Sequence, residues 1–241
     1  MSTLFDGVYK ELWRRIVPEA LTQLELDLIL DVLKLQPGNN VLDAMCGYGR
    51  HTLGLAGKGV LVTAIDNASE YITEIRNAAG KLPVEALAIG VESFRPEKKY
   101  DGAICMGNSL SSLNRTQTLA FFHTIRESLR PGGRFLLNTW MITEVIAKKI
   151  KDREWYQVKE FKYLLENEYL LQPSRVETRH TVIAPDGQIE EKLDVDYIFS
   201  MAEMEALLNE CGLHLLEIYS TPRKRPWSLG DEYIYFLAEK K

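Results

Sequence analysis

The stretch Asn40-Val41-Leu42-Asp43-Ala44-Met45-Cys46-Gly47-Tyr48-Gly49-Arg50-His51 decides how this chain is read. It begins as a short apolar strand, Asn40 to Met45, crosses a glycine loop and enters a short helix through Ala56. Gly47 and Gly49 can take backbone conformations barred to other residues, and they let a ligand approach the main chain. Glycines alone fit any nucleotide-binding loop. Asp43 discriminates, because a carboxylate beside the loop repels an anionic pyrophosphate and attracts an ammonium group. The third glycine of a dinucleotide fingerprint is absent; Thr52 stands in its place.

Outward from this loop, strands alternate with helices. Val60–Ile65, Val84–Ile89, Asp101–Met106 and Arg134–Trp140 read as strands, each a near-continuous apolar run. Ser69–Ala79 and Arg115–Leu129 read as helices, the second stopped by Pro131-Gly132-Gly133. This is the pattern of a Rossmann-like α/β sheet, mostly parallel and covered on both faces. Ligands sit at the carboxyl ends of such strands, near the switch point. Two helices precede the sheet, Leu4–Val17 and Leu21–Leu35, making residues 1–35 an N-terminal helical segment and a candidate lid.

Past Lys151 the alternation breaks. Phe161–Gln172, Arg175–Ile183 and Gln188–Ser200 read as strands, with Pro185-Asp186-Gly187 as a turn. In the last, Ile189, Leu193, Val195, Tyr197 and Phe199 share one face; Glu190, Lys192, Asp194 and Asp196 share the other. Residues 153–200 therefore form an antiparallel β insertion, expected over the carboxyl edge of the parallel sheet. Met201–Cys211 is a helix, and His214–Tyr219 and Glu232–Ala238 form a C-terminal antiparallel hairpin. The expectation is one domain spanning 1–241, with seven strands in its main sheet.

Composition bounds the function. The 241 residues are 46% hydrophobic and 26% charged, an ordinary globular balance, with a net charge of −5. An acidic chain is a poor grip for nucleic acid, and no apolar run approaches a membrane span. Three scattered cysteines and no leader pattern point to a reducing cytoplasm. The four histidines have no ligand spacing, so no metal is expected.

Asp66 ends the second strand, about 20 residues beyond the loop, where a carboxylate hydrogen-bonds ribose hydroxyls. Asp43, Gly47, Gly49 and Asp66 together favour S-adenosylmethionine, which carries an ammonium group and no phosphate. The chain resembles the class I S-adenosylmethionine-dependent methyltransferases. Asp43–Gly49 is similar to their glycine-rich motif, with Met45 where the first glycine usually stands. Leu129-Arg130-Pro131-Gly132-Gly133 matches the turn before the fifth strand, and the final hairpin matches the family's terminal one. The resemblance covers the chain outside the insertion.

The resemblance implies a set of cofactor contacts: Asp43, Ala44, Cys46, Gly47, Gly49, Arg50 and His51 in the loop, and Asp66 and Asn67 after the second strand. Gly90 stands where the family often has an acid, so Glu92 or Ser93 is expected to take over, or the Val91 backbone to serve alone. Gly107 and Asn108 follow the fourth strand, and Tyr9 and Trp13 lie on the lid helix. Met106-Gly107-Asn108-Ser109-Leu110 resembles the same loop in small-molecule N-methyltransferases. Asn108 and Ser109 are thus expected to orient the acceptor, with Trp140, Arg179 and Tyr197 lining its pocket. No residue is singled out as a general base.

The function expected is methyl transfer to a small molecule, an amine being one candidate, with the insertion as a substrate cover or homodimer contact. The competing readings are a degenerate domain used as a binding module, and a protein or RNA methyltransferase.

Overall fold

Strands that are apolar on both faces must be covered on both faces, and the computed structural model shows how. It describes residues 6–147 and 149–241; Leu4 and Phe5 of the expected first helix lie outside them. The main sheet contains β1 (Asn40–Ala44), β2 (Leu61–Asp66), β3 (Val84–Ala88), β4 (Tyr100–Cys105), β5 (Leu129–Thr139), β10 (Leu213–Tyr219) and β11 (Ile234–Lys240). Its order is β10-β11-β5-β4-β1-β2-β3. The first five strands pair in parallel, and β11 runs antiparallel to both β5 and β10. Consecutive side chains alternate between faces. Val41 enters the cluster holding Ile29, Leu55 and Ile72, and Leu42 enters the one holding Phe121, Phe122 and Phe135. The helices are α1 (Gly7–Ile16), α2 (Glu19–Val32), α3 (Arg50–Gly57), α4 (Ser69–Ala79), α5 (Arg115–Ser128), α6 (Thr143–Ile146) and α7 (Met201–Glu210). Asn114 and Ser200 cap α5 and α7, each in a capping box with the residue three further on.

A second, four-stranded antiparallel sheet follows, in the order β6 (Arg153–Val158), β7 (Phe161–Leu171), β8 (Ser174–Ile183), β9 (Ile189–Tyr197). The sequence pattern announces β7, β8 and β9 but not β6, whose residues show no regular alternation in burial. The sheet stands over the carboxyl edge of the parallel one: Ile142, just past β5, bridges to Phe199, and Asn108 after β4 reaches Asp196 of β9.

The two faces of β9 separate as their period requires, but the charged face is the inner one. Ile189 is 62% and Leu193 is 73% exposed, whereas Glu190, Lys192, Asp194 and Asp196 are partly buried. Helix α1 lies against this inner face. Val8, Tyr9 and Leu12 pack with Phe161, Tyr163 and Val182 in a third apolar cluster. On its other side, Lys10 and Arg14 pair with Glu74 of α4. The helix therefore bridges both halves of the molecule.

A helix start leaves its first amide hydrogens without partners. In α1 a strand supplies the acceptor: the Glu190 carboxylate accepts from the amides of Val8 and Tyr9, each at 3.1 Å. Gly7 has a φ of +57°, and a Cβ there would collide with that carboxylate. Replacing Glu190 with Ala is expected to destabilise the fold by ~1 kcal/mol, the ordinary cost of a lost N-terminal cap. Urea denaturation measures this, and hydrogen exchange should quicken first at Val8 and Tyr9.

Candidate active site

The site is built where β1, β2 and β4 end side by side. Asp43 closes β1 and is 1% exposed. Its Oδ2 accepts a hydrogen bond from Thr52 Oγ1 at 2.6 Å. Burial pushes the Asp43 carboxyl up, against the opposing charges of His51 and Arg50. Thr52, the missing third glycine, is thus the residue that holds Asp43. Asp66, at the end of β2, accepts from the amides of Gly47 at 2.8 Å and Ala68 at 2.9 Å. The Asp66 carboxylate and the glycine loop are therefore one hydrogen-bonded unit. Burial raises the Asp66 carboxyl and these amides lower it. Ala44 is buried in the strand, Cys46 is half-buried and donates to the Gly47 carbonyl, and Asn67 is exposed at the rim.

The loop geometry accounts for its glycines. Gly47 and Gly49 have φ of +53° and +79°, and a Cβ on Gly49 would strike Ile75 of α4 at 2.6 Å. Nothing lies within 4 Å of a Cβ on Gly47, so its face is open. Met45, where the first glycine usually stands, keeps the left-handed backbone with φ of +57°. The conformation is retained although the residue is not glycine. These features fit an adenosine-type group with an ammonium, which Asp43 and Asp66 could accept hydrogen bonds from and the open Gly47 face could support.

After β3 the chain has glycine at 90, where the resemblance expects an acid. A Cβ built on Gly90 would land on the carboxylate of Glu92. The Glu92 side chain folds back over the glycine and fills the place of a side chain at 90, while Ser93 is exposed.

Arg50 and His51 do not reach toward the loop's open face. Both turn to Glu25 of α2, which is 2% exposed. Arg50 pairs with this carboxylate, His51 Nε2 lies 3.0 Å from it, and the Tyr235 hydroxyl donates to it at 2.9 Å. Glu25 escapes the sequence reading because a lone glutamate in an amphipathic helix normally lies on the solvated face. Here it fixes the first turn of α3 behind the glycine loop.

Asn108 is also different from expectation. It is buried, with a left-handed φ of +71°. Its Oδ1 accepts from Thr139 Oγ1 at 2.7 Å and from the amides of Trp140 at 3.0 Å and Met141 at 3.4 Å. Its Nδ2 donates to Ser111 Oγ at 2.9 Å and Asp196 Oδ1 at 3.4 Å. Both ends of the amide are used within the protein, so it positions the loop after β4 rather than offering itself to an acceptor. Gly107 donates to Asn138 Oδ1, and Ser109 Oγ bonds the carbonyls of Met45 and Met106.

Of the expected pocket residues, Arg179 is corrected: it lies on the outer face of the antiparallel sheet, 3.7 Å from Glu166 and 3.5 Å from Glu191. Tyr197 shares that side of β9 and packs on the main core, away from Asp194 and Asp196. The parity of an isolated strand does not say which face looks inward. Trp140 packs edge-on against Tyr233, with centroids 6.0 Å apart. Tyr9 and Trp13 stack at 6.3 Å, and Tyr9 is buried against Tyr163 and His180.

Residues 41–133 match the family model described as a methyltransferase domain. The chain has the class I S-adenosylmethionine-dependent methyltransferase fold. An S-adenosylmethionine-dependent methyltransferase from Clostridium acetobutylicum superposes with a TM-score of 0.83 at 18% identity, over 97% of this chain and 96% of that one. CalS10, an amino pentose methyltransferase from Micromonospora echinaspora, superposes with a TM-score of 0.73 at 17% identity, over all of both chains. In sequence, a S-adenosyl-L-methionine-dependent Diels-Alderase from Talaromyces variabilis is 30% identical over 128 residues, half of this chain and 42% of its own length. The match to that curated relative thus spans under half of its length. The family model ends at Gly133, within β5, so the antiparallel sheet lies outside it.

Burial alone would raise the Glu25 carboxyl, but the hydrogen bonds and charges of His51 and Arg50 outweigh it and hold it at about 2, against an ordinary 4.5. A depressed folded-state value contributes stability that is present above pH 4.5 and lost as the pH falls from there toward 2. Glu25→Gln is expected to cost about 3–5 kcal/mol at neutral pH, because it strips one partner from a buried ion cluster. It should also flatten the acid loss in that window, as followed by urea midpoints against pH.

Proposed function

We propose that this methyltransferase moves a methyl group from S-adenosylmethionine to a small molecule held between the carboxyl edge of the parallel sheet and the inner face of the antiparallel one. The observation that carries the cofactor assignment is the bonded pair of Asp66 and the Gly47 amide, beside the buried Asp43. Asp66 keeps acceptor capacity for ribose hydroxyls, since a carboxylate offers about four lone-pair sites and two amides fill only part of them. Asp43 suits the amino group of the methionine part, and Glu92, folded over Gly90 after β3, is an acid that could meet the adenine amino group. When bound, S-adenosylmethionine supplies a methyl on a sulfonium, already activated for in-line displacement. The protein's own contribution is then proximity, alignment and exclusion of water.

A small acceptor suits the way α1 and the antiparallel sheet close over the strand ends, and it suits an acidic chain. The amino pentose methyltransferase of the same fold supports the same class of acceptor.

Calorimetry with S-adenosylhomocysteine tests the assignment. The native protein should bind it and should not bind NAD. A charge-assisted hydrogen bond is worth about 1.5–3 kcal/mol, so Asp66→Ala should weaken binding roughly tenfold to a hundredfold. Asp43→Asn keeps the shape, removes the charge and should also weaken it. Melting curves establish that each variant is folded. Tight NAD binding, or unchanged affinity in both folded variants, overturns the proposal.

A further inference from the structure

Register brings an unusual set of side chains together on the inner face of the antiparallel sheet. Thr178 of β8 lies opposite Asp194 of β9, Val176 opposite Asp196, and His180 opposite Lys192. Lys192 is committed to Asp6 and Glu190. Among the described residues, neither Asp194 nor Asp196 takes part in an ion pair. Two carboxylates thus lie two residues apart on one inward face, partly buried and without a cationic partner among the described residues. Burial of unpaired charge is costly, and proteins retain it where something pairs with it.

A second observation points to the same space. His180 is 7% exposed, its Nδ1 lies 2.6 Å from the Tyr163 hydroxyl, and its Nε2 is buried with no hydrogen-bond partner among the described residues. The two ring nitrogens look in roughly opposite directions. With Nδ1 held by Tyr163, the ring occupies the inward position of β8 next to the one where Thr178 faces Asp194. The Tyr163 hydroxyl is in turn bonded to Tyr9 of the helix that roofs this face. A polar atom enclosed in this way lacks a partner that a ligand would bring.

Asp196 is also tied to the cofactor side. Its carboxylate receives Asn108 Nδ2, on the loop that follows β4, and it is hydrogen-bonded to Ser111. The pair therefore begins at the edge where the transferred methyl would be presented.

We propose that Asp194 and Asp196 form the acceptor's binding site, that the acceptor is an amine bound as its ammonium, and that Asp196 takes the proton the amine gives up. This rests on the methyl-transfer reading above. An ammonium cannot attack a sulfonium methyl because its lone pair is occupied. Transfer of one N–H proton to the Asp196 carboxylate frees that pair, which forms the new N–CH3 bond. The C–S bonding electrons stay on sulfur, leaving a neutral thioether and a methylated ammonium. Charge and protons balance with no further reactant. Burial first, and then the Asp194 charge, push the Asp196 carboxyl up to about 7, which suits a group that takes a proton near neutrality. The other ionisable groups on this layer among the described residues include Glu190 and Lys192 on β9, Asp6 and Tyr9 at α1, Glu154 and Tyr156 on β6, Tyr163 on β7 and His180 on β8.

The test uses the whole chain saturated with S-adenosylhomocysteine, whose binding is established first. Matched probes are then titrated by calorimetry: cyclohexylamine against cyclohexanol, benzylamine against benzyl alcohol, glucosamine against glucose. The native protein should prefer at least one amine over its alcohol by about tenfold or more. Asp196→Asn and the double variant Asp194→Asn, Asp196→Asn should abolish that preference while S-adenosylhomocysteine affinity and melting temperature stay near native. Glu177→Gln, on the outer face, should retain it. No amine preference in the loaded native protein, or a preference that survives in the folded double variant, overturns the inference. Failure to bind S-adenosylhomocysteine at all strikes the methyl-transfer reading instead.

Discussion

One side-chain amide joins the parts of this molecule that have to act together. Asn108 sits in a left-handed turn after β4, accepts three hydrogen bonds from the end of β5 and donates toward β9. Left-handed backbone is costly for most L-residues, and asparagine tolerates it better than nearly all others. Burial makes each of those bonds obligatory, since an amide left unsatisfied in this setting costs far more than it gains when satisfied. The antiparallel sheet is therefore referenced to the same loop that borders the glycine turn. Glu25 does the equivalent work behind the loop, holding Arg50 and His51 from α2.

The parallel sheet is legible in the sequence because its strands are apolar on both faces and because glycine and proline punctuate them. Asp43, Gly47, Gly49 and Asp66 are legible because their spacing along strand, loop and strand carries chemistry. What the sequence does not carry is the destination of a long side chain. Arg50 and His51 stand beside the glycine turn, yet they point to a carboxylate some 25 residues upstream. Arg179 is on a strand at the expected edge but on its outer side, and Tyr197 packs on the main core. Strand β9 is the sharpest case. Its alternation is plain, and the usual inference that the apolar face turns inward fails, because α1 and Asn108 supply partners for the charges. Strand β6 has no regular alternation to find.

Two departures from the methyltransferase pattern are absorbed locally. At residue 45 the backbone keeps the left-handed form that a glycine would adopt, with methionine bearing a strain of about 1–2 kcal/mol. At residue 90 the glycine is real, and Glu92 folds back into the vacated volume. In the first a non-glycine residue bears a left-handed backbone; in the second a carboxylate two residues further on fills the space beside the glycine.

The outward apolar face of the antiparallel sheet has a practical meaning. Trp155, Leu193 and Ile189 are 70%, 73% and 62% exposed, so the folded state gains little by burying them. Replacing them with charged residues would remove almost no packing. Trp155 stands on β6, at the far end of the sheet from Leu193 and Ile189 of β9, and β6 is a terminal strand, the kind of edge that recruits neighbours unless guarded by charge. Arg153 and Lys151 already stand at that edge. For anyone preparing this protein at high concentration, these outward side chains, rather than the core, are the place to engineer colloidal behaviour.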